Sequence, residues 1–257
     1  MDDTAVDSGR TVRPGGTGIA WRRFGSPGDP IVLAVHGFAS TSDLTWETSG
    51  WVRALTADGR QVVTVDLRGH GRSDAPTDAA AYGIGILVDD LVAVVAEVAS
   101  GPVDYLGYSL GSRLGWELAV RHPSLVRSLS LGGLPATEPL LAFDAAAASA
   151  FLASGEPIDD VATRTFLTMI EGATGNSPEA LVALAAGVRV SPRSTEAPAV
   201  PTLLVTGDND DIAADGVGLV EGVPGGRFIG IPGRTHVNTV SARAFKAAVL
   251  EFLATLD

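Results

Sequence analysis

A succession of short apolar runs, each ending in a glycine-bearing loop, constrains what this chain can fold into more than any other feature. The runs cover residues 31–35, 61–65, 103–106, 126–131, 201–207 and 227–231. Ile31-Val-Leu-Ala-Val35 is apolar throughout, which suits a strand covered on both faces, and the others are short strand-compatible runs. Helix-compatible segments separate or follow them at 44–57, 84–99, 110–120 and 242–256. Alternating strands and helices predict an α/β fold: a mostly parallel central sheet with helices on both faces. Ligands of such sheets bind beyond the carboxyl ends of the strands, so the loops there are where chemistry is expected. Pro14-Gly-Gly, between two β-compatible pieces, predicts an initial hairpin within residues 11–24.

The alternation stops after residue 132. Helix-like segments follow at 140–153, 158–170 and 178–190, with no strand-like run between them. An insertion that leaves a strand end lies over the site. Residues 134–199 are therefore expected to form a helical lid on a core domain built from residues 11–133 and 200–257. Residues 1–10, acidic and unpatterned, are expected to be a flexible tail.

Composition narrows the class. The 257 residues suffice for one large domain, and 46% hydrophobic against 19% charged residues indicates a folded protein. A net charge of −12 without any Lys/Arg cluster excludes nucleic acid and anionic membrane as partners. The absence of cysteine excludes disulfides, thiolate metal sites and a cysteine nucleophile. No metal and no cofactor is expected. The N-terminus lacks the apolar stretch of a signal peptide, and no run of about 18 apolar residues suggests a membrane span. The expectation is a cytoplasmic protein, monomer or homo-oligomer, that acts on a small molecule.

The stretch Val103-Asp-Tyr-Leu-Gly-Tyr-Ser109-Leu-Gly-Ser-Arg-Leu-Gly115 reads as strand, sharp turn and helix with a serine at the apex. A Gly-x-Ser-x-Gly string carries little weight by itself in a chain with 31 glycines. Its position between a strand-like and a helix-like segment gives it weight, because that turn lifts a hydroxyl above the sheet edge beside outward-pointing helix N–H groups. A serine nucleophile needs a base. Of four histidines, His122 lies in a helix-ending Arg-His-Pro, and His36 and His70 each precede glycine in turns they are expected to hold. His236, in the loop after the last strand, remains as the general base. Its orienting carboxylate comes from Gly207-Asp-Asn-Asp-Asp211, with Asp210 the choice and Asp208 the alternative, in the order Ser, Asp, His. The oxyanion donors are expected to be the backbone N–H groups of Leu110 and Phe38, with the Phe38 side chain lining the pocket. Tyr108, Arg113 and Trp46 are candidate substrate contacts, Trp51 a further one, and Arg164, Arg189 and Arg193 are lid arginines of open orientation.

His36-Gly-Phe, Asp66-Leu-Arg-Gly-His-Gly-Arg-Ser-Asp74, Gly107-Tyr-Ser-Leu-Gly111, Gly207-Asp-Asn-Asp210 and His236, in that order, resemble the α/β-hydrolase fold family across residues 17–257. The resemblance implies a helical lid and a hydrolase of the serine branch, among esterases, cofactor-free haloperoxidase-like enzymes and C–C hydrolases. The Arg-Gly-His-Gly-Arg-Ser segment also resembles haloalkane dehalogenases and epoxide hydrolases, but those carry Asp where this chain has Ser109. The Gly-Tyr-Ser-Leu-Gly-Ser-Arg113 string resembles a menaquinone-pathway synthase, which implies lyase chemistry with arginines on an anionic substrate. Cleavage of a small carboxylic ester or related acyl compound is the expected function, with C–C hydrolysis, the lyase and a ligand-binding receptor as alternatives. Arg234-Thr-His-Val237 departs from the small-residue/His/Gly pattern of many esterases.

Overall fold

The computed structural model describes residues 5–191 and 194–257. Its sheet has eight strands in the order β1-β2-β4-β3-β5-β6-β7-β8. These are β1 (Asp7–Val12), β2 (Gly18–Phe24), β3 (Ile31–Val35), β4 (Gln61–Val65), β5 (Val103–Tyr108), β6 (Val126–Gly132), β7 (Thr202–Gly207) and β8 (Arg227–Ile231). From β4 to β8 across the sheet every pairing is parallel, whereas β1 with β2 and β2 with β4 are antiparallel. The parallel strands are the ones read from the short strand-like runs; β4, β5 and β7 are buried at every position, whereas the edge strand β8 is exposed at four of its five.

Helices cover both faces. Helices α2 (Ile84–Val98) and α3 (Leu110–Arg121) bury Leu87, Leu91, Val94, Leu114 and Leu118 on one face. Helices α1 (Trp51–Ala57) and α8 (Arg243–Ala254) bury Trp51, Leu55, Phe245, Val249 and Phe252 on the other. Between β6 and β7 stand α4 (Ala145–Ser154), α5 (Val161–Gly172) and α6 (Pro178–Arg189). Asp144, Asp160 and Ser177 cap their N-termini by accepting backbone N–H bonds, which explains where each begins. Their buried Leu167, Ile170, Leu181 and Leu184 join the same apolar cluster as α2 and α3.

Two expectations need correction. The presumed tail enters the sheet: β1 starts at Asp7 and pairs along β2 from Asp7↔Arg23 to Val12↔Gly18. An antiparallel edge strand needs only backbone partners, so a polar sequence does not betray it. The helix expected over 44–57 is broken, a π-helical turn (Asp43–Glu47) being separated from α1 by Gly50 at φ 80°.

The strand order reverses at β3 and β5, which are neighbours although β4 lies between them in sequence. The loops leaving β3 and β5 therefore diverge over one crevice, the place where a parallel sheet binds its ligand.

Candidate active site

Ser109 ends β5 and begins α3 with φ 52° and ψ −113°, in the left-handed half of backbone space that side chains avoid. The turn closes because its neighbours lack side chains. A Cβ on Gly107 would lie 2.7 Å from the Gly111 carbonyl, and one on Gly111 would lie 2.1 Å from the Val35 oxygen. Ser109 N–H donates to the Gly132 oxygen at 2.8 Å and Ser112 Oγ to the same oxygen at 2.7 Å, tying the turn to β6.

The hydroxyl so positioned lies 2.9 Å from His236 Nε2. His236 opens the short helix α7 (His236–Thr239), fixed by a capping box between Thr235 and Asn238. Its Nδ1 faces both oxygens of Asp210, at 3.0 and 2.9 Å. Asp210, in the loop after β7, is 2% exposed and also accepts the N–H groups of Ile212 and Ala213. An ionised carboxylate only accepts, so it holds the imidazole proton on Nδ1 and leaves the Nε2 lone pair to the serine O–H. Asp208 does different work: its Oδ1 accepts the Gly233 N–H at 2.6 Å and braces the loop after β8.

Phe38 and Leu110 flank the hydroxyl and line the same cavity as Ser109 and His236. Among the described residues neither of their N–H groups takes a hydrogen-bond partner. Two buried histidines hold the Phe38 loop. His36 Nε2 accepts the Leu67 N–H, and His70 Nε2 accepts the N–H of Ala39, the residue after Phe38. The Nδ1 atoms face the carbonyls of Gly37 and Arg68. Both rings are thus neutral with the proton on Nδ1. Burial pushes both below the usual histidine range, His70 to about 3, where the nearby His36 adds to the effect.

The structure separates the substrate candidates. Arg113, one turn along α3, lines the cavity but is buried, pairs with Glu138 and donates to the Ser191 oxygen at 2.9 Å. Trp46 does not reach the cavity: it is fully buried against Trp51, itself packed on Phe245, because the turn carrying it folds beneath the sheet. Tyr108 points away from the cavity, since residues alternate across a strand. Its hydroxyl donates to the His236 carbonyl oxygen and its ring packs on that imidazole, so it supports the histidine from below. Burial, and then the Asp210 charge, raises the Tyr108 hydroxyl well above the usual phenol range. Arg164 is exposed, Arg189 lines an adjoining cavity, and Arg193 lies outside the described residues. Leu140, Phe166, Met169 and Ile212 complete the cavity wall. No sequence motif marks them or Glu138; Ile212 comes from the loop after β7, and the others meet the serine only because the 134–199 segment folds back over the sheet.

A strained serine at the carboxyl edge of a parallel sheet, with a histidine and a buried aspartate in reach, defines a class of α/β proteins built to expose a hydroxyl. Residues 30–166 match the model of the alpha/beta hydrolase fold family, and the chain belongs to that family. It is 29% identical over 127 residues to epoxide hydrolase A of Mycobacterium tuberculosis, covering 49% of this chain and 38% of that protein. The chain spans well under half the length of the first curated relatives it matches. A hydrolase from Pseudomonas aeruginosa PA01 superposes with a TM-score of 0.76 at 22% identity, over 97% of this chain and 99% of that one. The enol-lactonase from Burkholderia xenovorans LB400 does so at 0.74 and 22%, over 93% and 97%. At such identities the structural likeness is one of fold. Among the described residues no helix is long and apolar enough to cross a membrane.

Proposed function

We propose that this protein is a serine hydrolase that cleaves a small carboxylic ester or related acyl compound through an acyl-enzyme. The observation that carries the reading is the hydrogen-bonded chain from Ser109 Oγ through His236 to the Asp210 carboxylate. Ser109 Oγ attacks the carbonyl carbon while His236 Nε2 takes its proton. Asp210 stabilises the resulting imidazolium, and the Phe38 and Leu110 N–H groups hold the oxyanion. The imidazolium returns the proton to the leaving alcohol, and water, deprotonated by the same nitrogen, then releases the acid. The helices between β6 and β7 act as a lid whose apolar residues favour a hydrophobic acyl group.

Epoxide opening, the activity in the name of the M. tuberculosis relative, fits less well. The family members that open epoxides carry a carboxylate where this chain has Ser109. The lyase reading would favour arginines free to bind an anion, and Arg113 already faces the carboxylate of Glu138.

Intact mass after exposure to a fluorophosphonate tests the reading. The wild type should gain one adduct, Ser109→Ala none, and Ser109→Ala should lose at least about 10³-fold of ester turnover. A folded wild type that takes no adduct and turns over no ester would overturn it.

A further inference from the structure

The cavity around Ser109 is too small for the substrate it must hold. It amounts to about 40 Å³, close to the room a single water needs. Ligand sites run to about 300–1,000 Å³. Two larger cavities adjoin it: one of about 320 Å³ behind Pro139, Phe166, Met169 and Ile212, and a second, the larger of the two, of about 600 Å³. This larger, outer one shares Arg113, Pro135 and Glu138 with the inner cavity as a common wall. The rim of the outer cavity carries Leu141 and Val190, apolar yet 55% and 76% exposed.

The wall is held by charge. Arg113, 5% exposed, projects from α3 four residues past the serine. Its guanidinium pairs with Glu138 near the start of the 134–199 segment and donates to the Ser191 oxygen near its end. Glu138 uses its other oxygen to accept the Leu140 N–H at 3.0 Å, and Leu140 lines the inner cavity. One side chain on the nucleophile helix therefore fastens both ends of the overlying segment across the wall the inner and outer cavities share. With the pair closed, the inner space has room for little more than a small acyl group. With Glu138 swung aside, the spaces join.

We propose that the Arg113–Glu138 pair is a gate that sets substrate size, and that acyl groups longer than acetyl reach Ser109 by extending through the outer cavity when it opens. The proposal rests on the hydrolase reading. Its occupant is an uncharged, apolar acyl chain, which matches Phe38, Leu140, Phe166, Met169 and Ile212 inside and Leu141 and Val190 at the rim of an outer cavity whose wall also carries Thr137 and Arg189.

The test compares kcat/KM for p-nitrophenyl acetate and p-nitrophenyl octanoate. Glu138→Gln retains an oxygen for Leu140 N–H while turning an N–H₂ group toward Arg113, which opens the pair. It should raise the octanoate-to-acetate ratio at least tenfold. Leu141→Trp, at an exposed position where folding is not at risk, fills the outer cavity and should lower the same ratio at least fivefold. A loss of packing alone would move both esters together, so only opposite shifts of the ratio support the gate. Ratios within twofold of wild type in both variants, with acetate still cleaved, overturn the gate and leave the hydrolase standing. A wild type that cleaves neither ester and whose Ser109 takes no adduct overturns both.

Discussion

At the scale of single residues, the site depends on directional partners more than on residue types. Asp210 and Asp208 share a loop of five residues, yet one meets His236 Nδ1 and the other a backbone N–H of the facing loop. That division predicts unequal consequences. Asp210→Asn leaves the loop geometry in place but presents a donor to Nδ1, favouring the tautomer whose Nε2 carries the proton and cannot accept one. It should lower kcat for a p-nitrophenyl ester by about 10³–10⁴-fold with KM little changed. Asp208→Asn should stay within about tenfold. Steady-state kinetics of the two variants decide the assignment, and the reverse ranking would move the orienting role to Asp208.

Among the elements, α2 shows how a charge inside an apolar helix is accommodated. Asp89 and Asp90 are adjacent in sequence, but Asp89 is exposed and Asp90 is 2% exposed. Asp90 takes Arg68 in a two-pronged pair, Nε at 2.9 Å and Nη2 at 2.8 Å, and Arg13 Nε at 3.1 Å. The pair fastens α2 to the loop leaving β4 and to the hairpin. Removing one partner strands a buried guanidinium, so Asp90→Ala should cost about 3–5 kcal/mol in urea unfolding. A loss below about 1 kcal/mol would mean that water reaches Arg68. The sequence showed acidic positions along an apolar helix; it did not show which one faced inward, because the two differ by a single 100° step of the helix.

For the whole molecule, the neutral histidines behind the Phe38 loop set an acid limit on stability. An unfolded histidine takes up its proton near pH 6.5, whereas His70 in the fold does so only at about 3. Above pH 6.5 both states are neutral and the group contributes nothing to pH dependence. Between those values the unfolded chain binds a proton the native chain refuses, so stability falls as pH falls, by up to about 1.4 kcal/mol per unit. His70→Gln, which keeps a hydrogen-bonding side chain but cannot titrate, should narrow the loss between pH 7.5 and pH 5 by roughly 2 kcal/mol. Urea midpoints at the two pH values measure it, and an unchanged gap would place the acid sensitivity elsewhere.

What the sequence determined by itself is what local chemistry encodes: short apolar runs that form strands, glycines that permit one tight turn, and Ser109, Asp210 and His236 placed at strand ends. Those features depend on a few neighbouring residues, so they are legible without knowing what lies across the sheet. The roles of His36 and His70 as turn holders were legible for the same reason. Tyr108 and Trp46 were not, because each is an aromatic residue whose role depends on which face of its element is turned to solvent. Glu138, Leu140, Phe166 and Met169 carry no local signal at all. Their meeting with Ser109 was decided only when the 134–199 segment packed on α3, since contacts between residues distant in sequence are set by burial and charge pairing across the finished fold.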